Sequence, residues 1–158
     1  MKKEQENKKG SLNFMSIFRY LMEEGYFPTY ETTHILFELE DNTALLEYED
    51  GMLSIMVFFS IDEETSALFI LGSNSVMTDT KGIKAVVLED EATIMFSAEF
   101  MCDNLRELRK FFPKALHNIN HALAEHKKTM KVILEESVLY KDLYTHSDKD
   151  NASKKFCS

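Results

Sequence analysis

The chain is poor in residues that staple or bend small folds: 158 residues hold no tryptophan, two cysteines, two prolines and five glycines. Cys102 and Cys157 match neither a disulfide framework nor a zinc spacing, so a reducing, cytoplasmic setting is expected. Scarce glycine and proline exclude collagenous and low-complexity classes, and they point to regular elements joined by short turns. No apolar run approaches the roughly 18 residues that a spanning helix needs, which argues against a membrane partner. The basic start, MKKEQENKKG, is followed by a stretch carrying Asn13, Ser16 and Arg19 rather than an unbroken apolar run with a cleavage site. It does not read as a secretory signal.

What is present suits one core. The chain is 44% hydrophobic, and its length fits a single domain that folds without metal or disulfide. Residues 1–10 form a solvated leader, residues 11–144 one α+β domain, and residues 145–158 a polar tail. The net charge of −9 conceals an asymmetry. From Tyr20 to Asn104, eighteen Asp and Glu residues face only Lys81 and Lys84. From Leu105 to Lys131 the balance reverses, with Arg106, Arg109, Lys110, Lys114, Lys127, Lys128 and Lys131 against Glu107 and Glu125. The acidic part repels nucleic acid, and the basic part lacks the aromatic interleaving of a base-stacking platform.

Periodicity gives the elements. Leu12, Phe14, Met15, Ile17, Phe18, Leu21 and Met22 recur at helical spacing, with Ser11 as N-cap and Gly25 as C-cap. From Thr33 the period drops to two. Turns at Asp41-Asn42 and Asp50-Gly51 would set Leu39 against Ala44, Phe37 against Leu46, Tyr48 against Leu53 and Leu46 against Ile55. One face then holds Ile35, Phe37, Leu39, Ala44, Leu46, Tyr48, Leu53, Ile55, Val57 and Phe59. A short helix is expected over Thr65 to Thr78 through Ala67, Leu68, Leu71, Ser75 and Val76, although Ala67 to Leu71 also suits a strand. Another hairpin follows, with Ala85 and Val87 opposing Phe96 and Ile94 across Asp90-Glu91. Leu105, Leu108, Phe112, Leu116, Ile119 and Leu123 lie in phase along a terminal helix kinked at Pro113, and Met130 to Tyr144 continues it. The order α-β-β-β-α-β-β-α is an α+β fold: a twisted antiparallel sheet with helices packed on one face.

The opposite sheet face is fixed by the first. Leu36, Leu45, Met56, Phe58, Val86, Leu88 and Met95 lie there among Glu38, Glu40, Glu47, Glu49, Ser54 and Ser60. So apolar a surface is expected to be covered by a second copy, by a client, or by Met130 to Tyr144 folding back over it. Leu36, Glu38, Leu45, Glu47, Met56, Phe58, Val86 and Met95 are the partner-binding candidates.

The segments FRYLMEEGYFP, HILFELEDNTALLEYEDGMLSIMVFF, ALFILGSNSVMTDT and IKAVVLEDEATIMFSAEF, followed by a long helix, resemble the YbjN-like and type III secretion chaperone-like proteins. The resemblance spans roughly Leu12 to Lys128. It implies a small acidic cytoplasmic protein, often a homodimer, that binds other polypeptides through sheet and helix surfaces without ATP.

Catalytic signatures are missing: there is no HExxH, CxxC or GxGxxG. His117, His121 and Glu125 share a helix face and define the alternative of a metal-binding protein or small enzyme. Lys110, Lys114 and Lys128 on that face oppose a cation. Cys102, before the terminal helix, is the one candidate nucleophile, with Asp103 beside it opposing a thiolate. Glu89-Asp90-Glu91 lacks the spacing of a calcium loop. The expected role is a non-catalytic, chaperone-like or regulatory protein-binding module with no cofactor. An immunity-type partner of one cognate protein is a further alternative.

Overall fold

A helix starts where side chains can satisfy its free amides. The computed structural model describes residues 11–156, with side-chain surroundings as far as Val138; the expected leader lies outside the described residues. Asn13, not Ser11, caps α1 (Phe14–Glu23): Asn13 Oδ1 accepts from the Ser16 amide at 2.9 Å, and Ser16 Oγ accepts from the Asn13 amide at 3.0 Å. This reciprocal pair satisfies donors that a helix start leaves unpaired. Gly25 follows at φ 80°, a left-handed conformation that stops the helix and that glycine enters without a Cβ clash.

Six antiparallel strands follow: β1 (Thr29–Tyr30), β2 (Ile35–Leu39), β3 (Asn42–Glu49), β4 (Met52–Ser60), β5 (Lys84–Val87) and β6 (Thr93–Met101). Their spatial order is β1-β2-β3-β4-β6-β5. β1 is too short for alternation to reveal it.

The first hairpin turns at Glu40-Asp41, not Asp41-Asn42, so Phe37 faces Ala44 and Ile35 faces Leu46. This register differs by two residues from the expected one. Because side chains alternate with period two, every residue keeps its face. Glu40 is the exception: at φ 53° in the turn, it accepts from Asn120 Nδ2 of the helix layer at 3.4 Å. It therefore does not belong with Glu38 and Glu47. The second hairpin keeps the expected register, Tyr48 opposite Leu53 and Leu46 opposite Ile55. Asp50 and Gly51, at φ 51° and 77°, supply the two left-handed residues of a tight hairpin turn. The third hairpin sets Ala85 opposite Phe96 and Val87 opposite Ile94. Asp90 Oδ1 closes its turn by accepting from the Ala92 and Thr93 amides, each at 3.0 Å. The Thr93 hydroxyl and these amides hold the Asp90 carboxyl below its ordinary range.

The inner face is buried as expected from Ile35 through Val57, with Tyr48 and Phe59 partly buried. It lies under α1, α2 (Ser66–Asp79, entered through a 3-10 turn at Glu63–Thr65) and α3 (Leu105–Phe156). Phe112 of α3 is fully buried. Its ring lies 5.6 Å from those of Tyr20 and Tyr26 and 5.7 Å from that of Phe37, which joins α1, α3 and the sheet.

The inward face of α2 differs from the expected one. Ser66, Gly72, Ser73 and Val76 are buried, while Leu71 is 58% exposed. Small residues face α3 because the two helices approach closely: a Cβ at Gly72 would overlap Met130 Sδ. In α3, Asn104 Oδ1 accepts from the Glu107 amide at 2.9 Å, and the helix runs unbroken past Pro113. Pro113 is exposed, so the carbonyl it leaves without a donor can meet water. The helix also continues beyond Tyr144 to Phe156, through the span expected as a tail.

Candidate functional site

The register brings the partner-binding candidates together. Leu36 pairs with Leu45 and Leu45 with Met56, giving one apolar row across β2, β3 and β4. Phe58 pairs with Met95 and Met95 with Val86, giving a second row across β4, β6 and β5. Met56 and Phe58 are two residues apart on β4, so the rows adjoin. Phe58 is 42% exposed, while Leu36, Leu45, Met56, Val86 and Met95 are half-buried. None belongs to the core cluster.

Acid surrounds these rows. Glu38 and Glu47 are exposed on the same face, as are Glu49 and Glu99. Glu47 faces Ser54, which faces Glu99. Lys84 is the one cation that the strands themselves place there. The ion pairs among the described residues lie elsewhere, Arg109 with Glu23 at 4.0 Å and Lys128 with Glu125 at 3.4 Å.

As far as Val138, where the described side-chain surroundings end, the terminal helix does not fold back over this face. Met130 is buried against Gly72 on the helix side, and Leu134 lines a groove there with Phe69.

The alternative sites are not assembled. His117 and His121 are exposed, Glu125 is drawn to Lys128, and the described residues contain no cluster of three or more His, Cys, Asp or Glu placed to hold a metal. Cys102 is fully buried. Burial first, then Glu107, pushes its thiol up to about 11, so it is protonated at neutral pH, unlike an activated nucleophile. Cys157 lies outside the described residues.

One buried histidine carries no motif in the sequence. His126 is 7% exposed, 4.9 Å from the Phe96 ring and 5.8 Å from that of Phe69. Its Nε2 has no hydrogen-bond partner, and burial lowers its pKa from the ordinary value. Its position continues the apolar phase of Phe112, Leu116, Ile119 and Leu123, and that phase was the available signal.

No family model matches the sequence, and no curated protein matches it. Solved structures do. YbjN from E. coli, described as a candidate transcription regulator, superposes with a TM-score of 0.62 at 8% identity, covering 74% of this chain and 92% of its own. The chain has the YbjN-like fold. An uncharacterized protein from Methanothermobacter thermautotrophicus superposes with a TM-score of 0.56 at 18% identity, covering 79% of this chain and 99% of its own. Neither is described as an enzyme. Among the described residues, no helix is long and apolar enough to cross a membrane.

Proposed function

We propose that the protein is a non-catalytic, cytoplasmic protein-binding module of chaperone-like or regulatory type. The observation that carries this reading is the pair of apolar rows, Leu36-Leu45-Met56 and Phe58-Met95-Val86, set among Glu38, Glu47, Glu49 and Glu99. Apolar side chains supply contact area, and the carboxylates select partners by charge. The client is therefore a polypeptide with apolar anchors flanked by lysine or arginine. The secretion-chaperone side of the resemblance points the same way.

The description attached to YbjN would suggest nucleic acid, but carboxylates on this face repel phosphate. A homodimer remains part of the proposal. Two copies pairing through this face would oppose Glu47, Glu49 and Glu99 with their own counterparts, so such a dimer tightens as salt rises.

Cross-linking of the full chain in extract of its native host, read by mass spectrometry, tests the reading. Met56→Glu with Phe58→Glu is expected to lose the captured polypeptides, and Leu71→Glu on the helix side is expected to keep them. An unchanged set with the sheet variant would overturn it. Sedimentation at low and high salt reads the dimer.

A further inference from the structure

Between the β2–β3 turn, the end of β4, α2 and the middle of α3, the core stays open as a groove of about 710 Å³. That volume suits a small molecule. The walls include Phe59, Ile61, Phe69, Leu123, Met130 and Leu134. Phe59, Ile61, Phe69 and Leu123 pack on the core yet retain exposed surface, so a hydrocarbon ligand would complete their packing. His126 also lines the groove. It is 7% exposed, its Nε2 is unpartnered, and among the described residues it joins no ion pair.

Charge enters at the mouth. Lys127 and Lys131 stand one turn apart on α3, on one helix face. Both line the groove and are exposed, and among the described residues neither joins an ion pair. Glu40 and Asp41 also line the groove, Glu40 beside Asn120 of α3. Asn120 holds Glu40 there, and Lys127 and Lys131 lie roughly 10 and 16 Å further along the helix axis.

We propose that this groove binds a monoanionic amphiphile of the fatty-carboxylate type. Its hydrocarbon lies against Phe69, Leu123 and Leu134, and its carboxylate sits between Lys127 and Lys131, away from Glu40 and Asp41. The site is on the helix side of the sheet and does not depend on the client reading.

Calorimetric titration of the full chain with decanoate, decanol and decylammonium tests this. Decanoate is expected to bind saturably at one per chain and at least tenfold more tightly than decylammonium. Lys127→Gln with Lys131→Gln weakens decanoate roughly tenfold and leaves decanol unchanged. Ala124→Trp, at an exposed position on the groove wall, abolishes binding without changing the thermal midpoint. Phe58→Glu, on the other side of the sheet, leaves decanoate binding intact. The proposal is overturned by absence of saturable decanoate binding, by equal affinity for decylammonium, by binding that survives Ala124→Trp, or by loss of binding in Phe58→Glu.

Discussion

The Met130 thioether rests on the Gly72 backbone so closely that a side-chain carbon at position 72 would overlap it. Gly72→Ala favours the helix by about 1 kcal/mol. The added methyl must displace Met130, which is only 5% exposed, at a cost of roughly 1–3 kcal/mol. The expected net effect is a loss of about 1 kcal/mol, read from urea unfolding. In the double variant with Met130→Ala the two losses should sum to less than additive. Strict additivity would show that the contact is not the cause.

The buried His126 predicts acid sensitivity. Its native pKa lies below the ordinary value because burial disfavours the cation, whereas the unfolded chain protonates near pH ~6.5. As pH falls through that value, the unfolded state gains a proton that the native state resists, so stability drops. The drop levels off once pH passes below the native pKa. Urea midpoints at pH 7.5 and 5.5 should show a larger decline in the wild type than in His126→Phe, which keeps an aromatic ring beside Phe69 and Phe96. Equal declines would remove His126 as the source.

Phe112→Ala should cost about 3–5 kcal/mol, because Tyr20, Tyr26 and Phe37 all border the space it would leave. The denaturant midpoint measures this. A loss below about 1 kcal/mol would mean that the surrounding rings collapse into the void.

Cys102 should resist modification. In a Cys157→Ser background, labelling by a thiol-specific disulfide reagent at pH 8 is expected to be slow in buffer and fast in denaturant. The thiol is fully buried and its pKa stands at about 11. Rapid labelling of the folded protein would revive the nucleophile reading.

The sheet was legible because alternation constrains faces more strongly than it constrains register. The first hairpin moved by two residues, yet Ile35, Phe37 and Leu46 stayed inside. Only Glu40, drawn into the turn, changed company. The helix α2 was harder to read. Leu71 looked like an inward residue, but the contact with α3 selects small side chains, so Gly72 and Ser73 face in. His126 is hard to recognise from sequence for a related reason. His117 and His121 stand at ligand spacing and are exposed, while the histidine that matters to packing sits in the apolar phase of the same helix. The groove beside it depends on how α2, α3 and the β2–β3 turn meet, and no local pattern encodes that.

The sheet ends in two very short rims, β1 with two residues and β5 with four. A strand from another molecule would find few free amides and carbonyls to zip onto at either rim, and this discourages fibre growth by strand addition. Such a molecule can leave one broad sheet face half apolar at little risk of polymerising, since short rims give the hydrogen-bonded ladder little to extend.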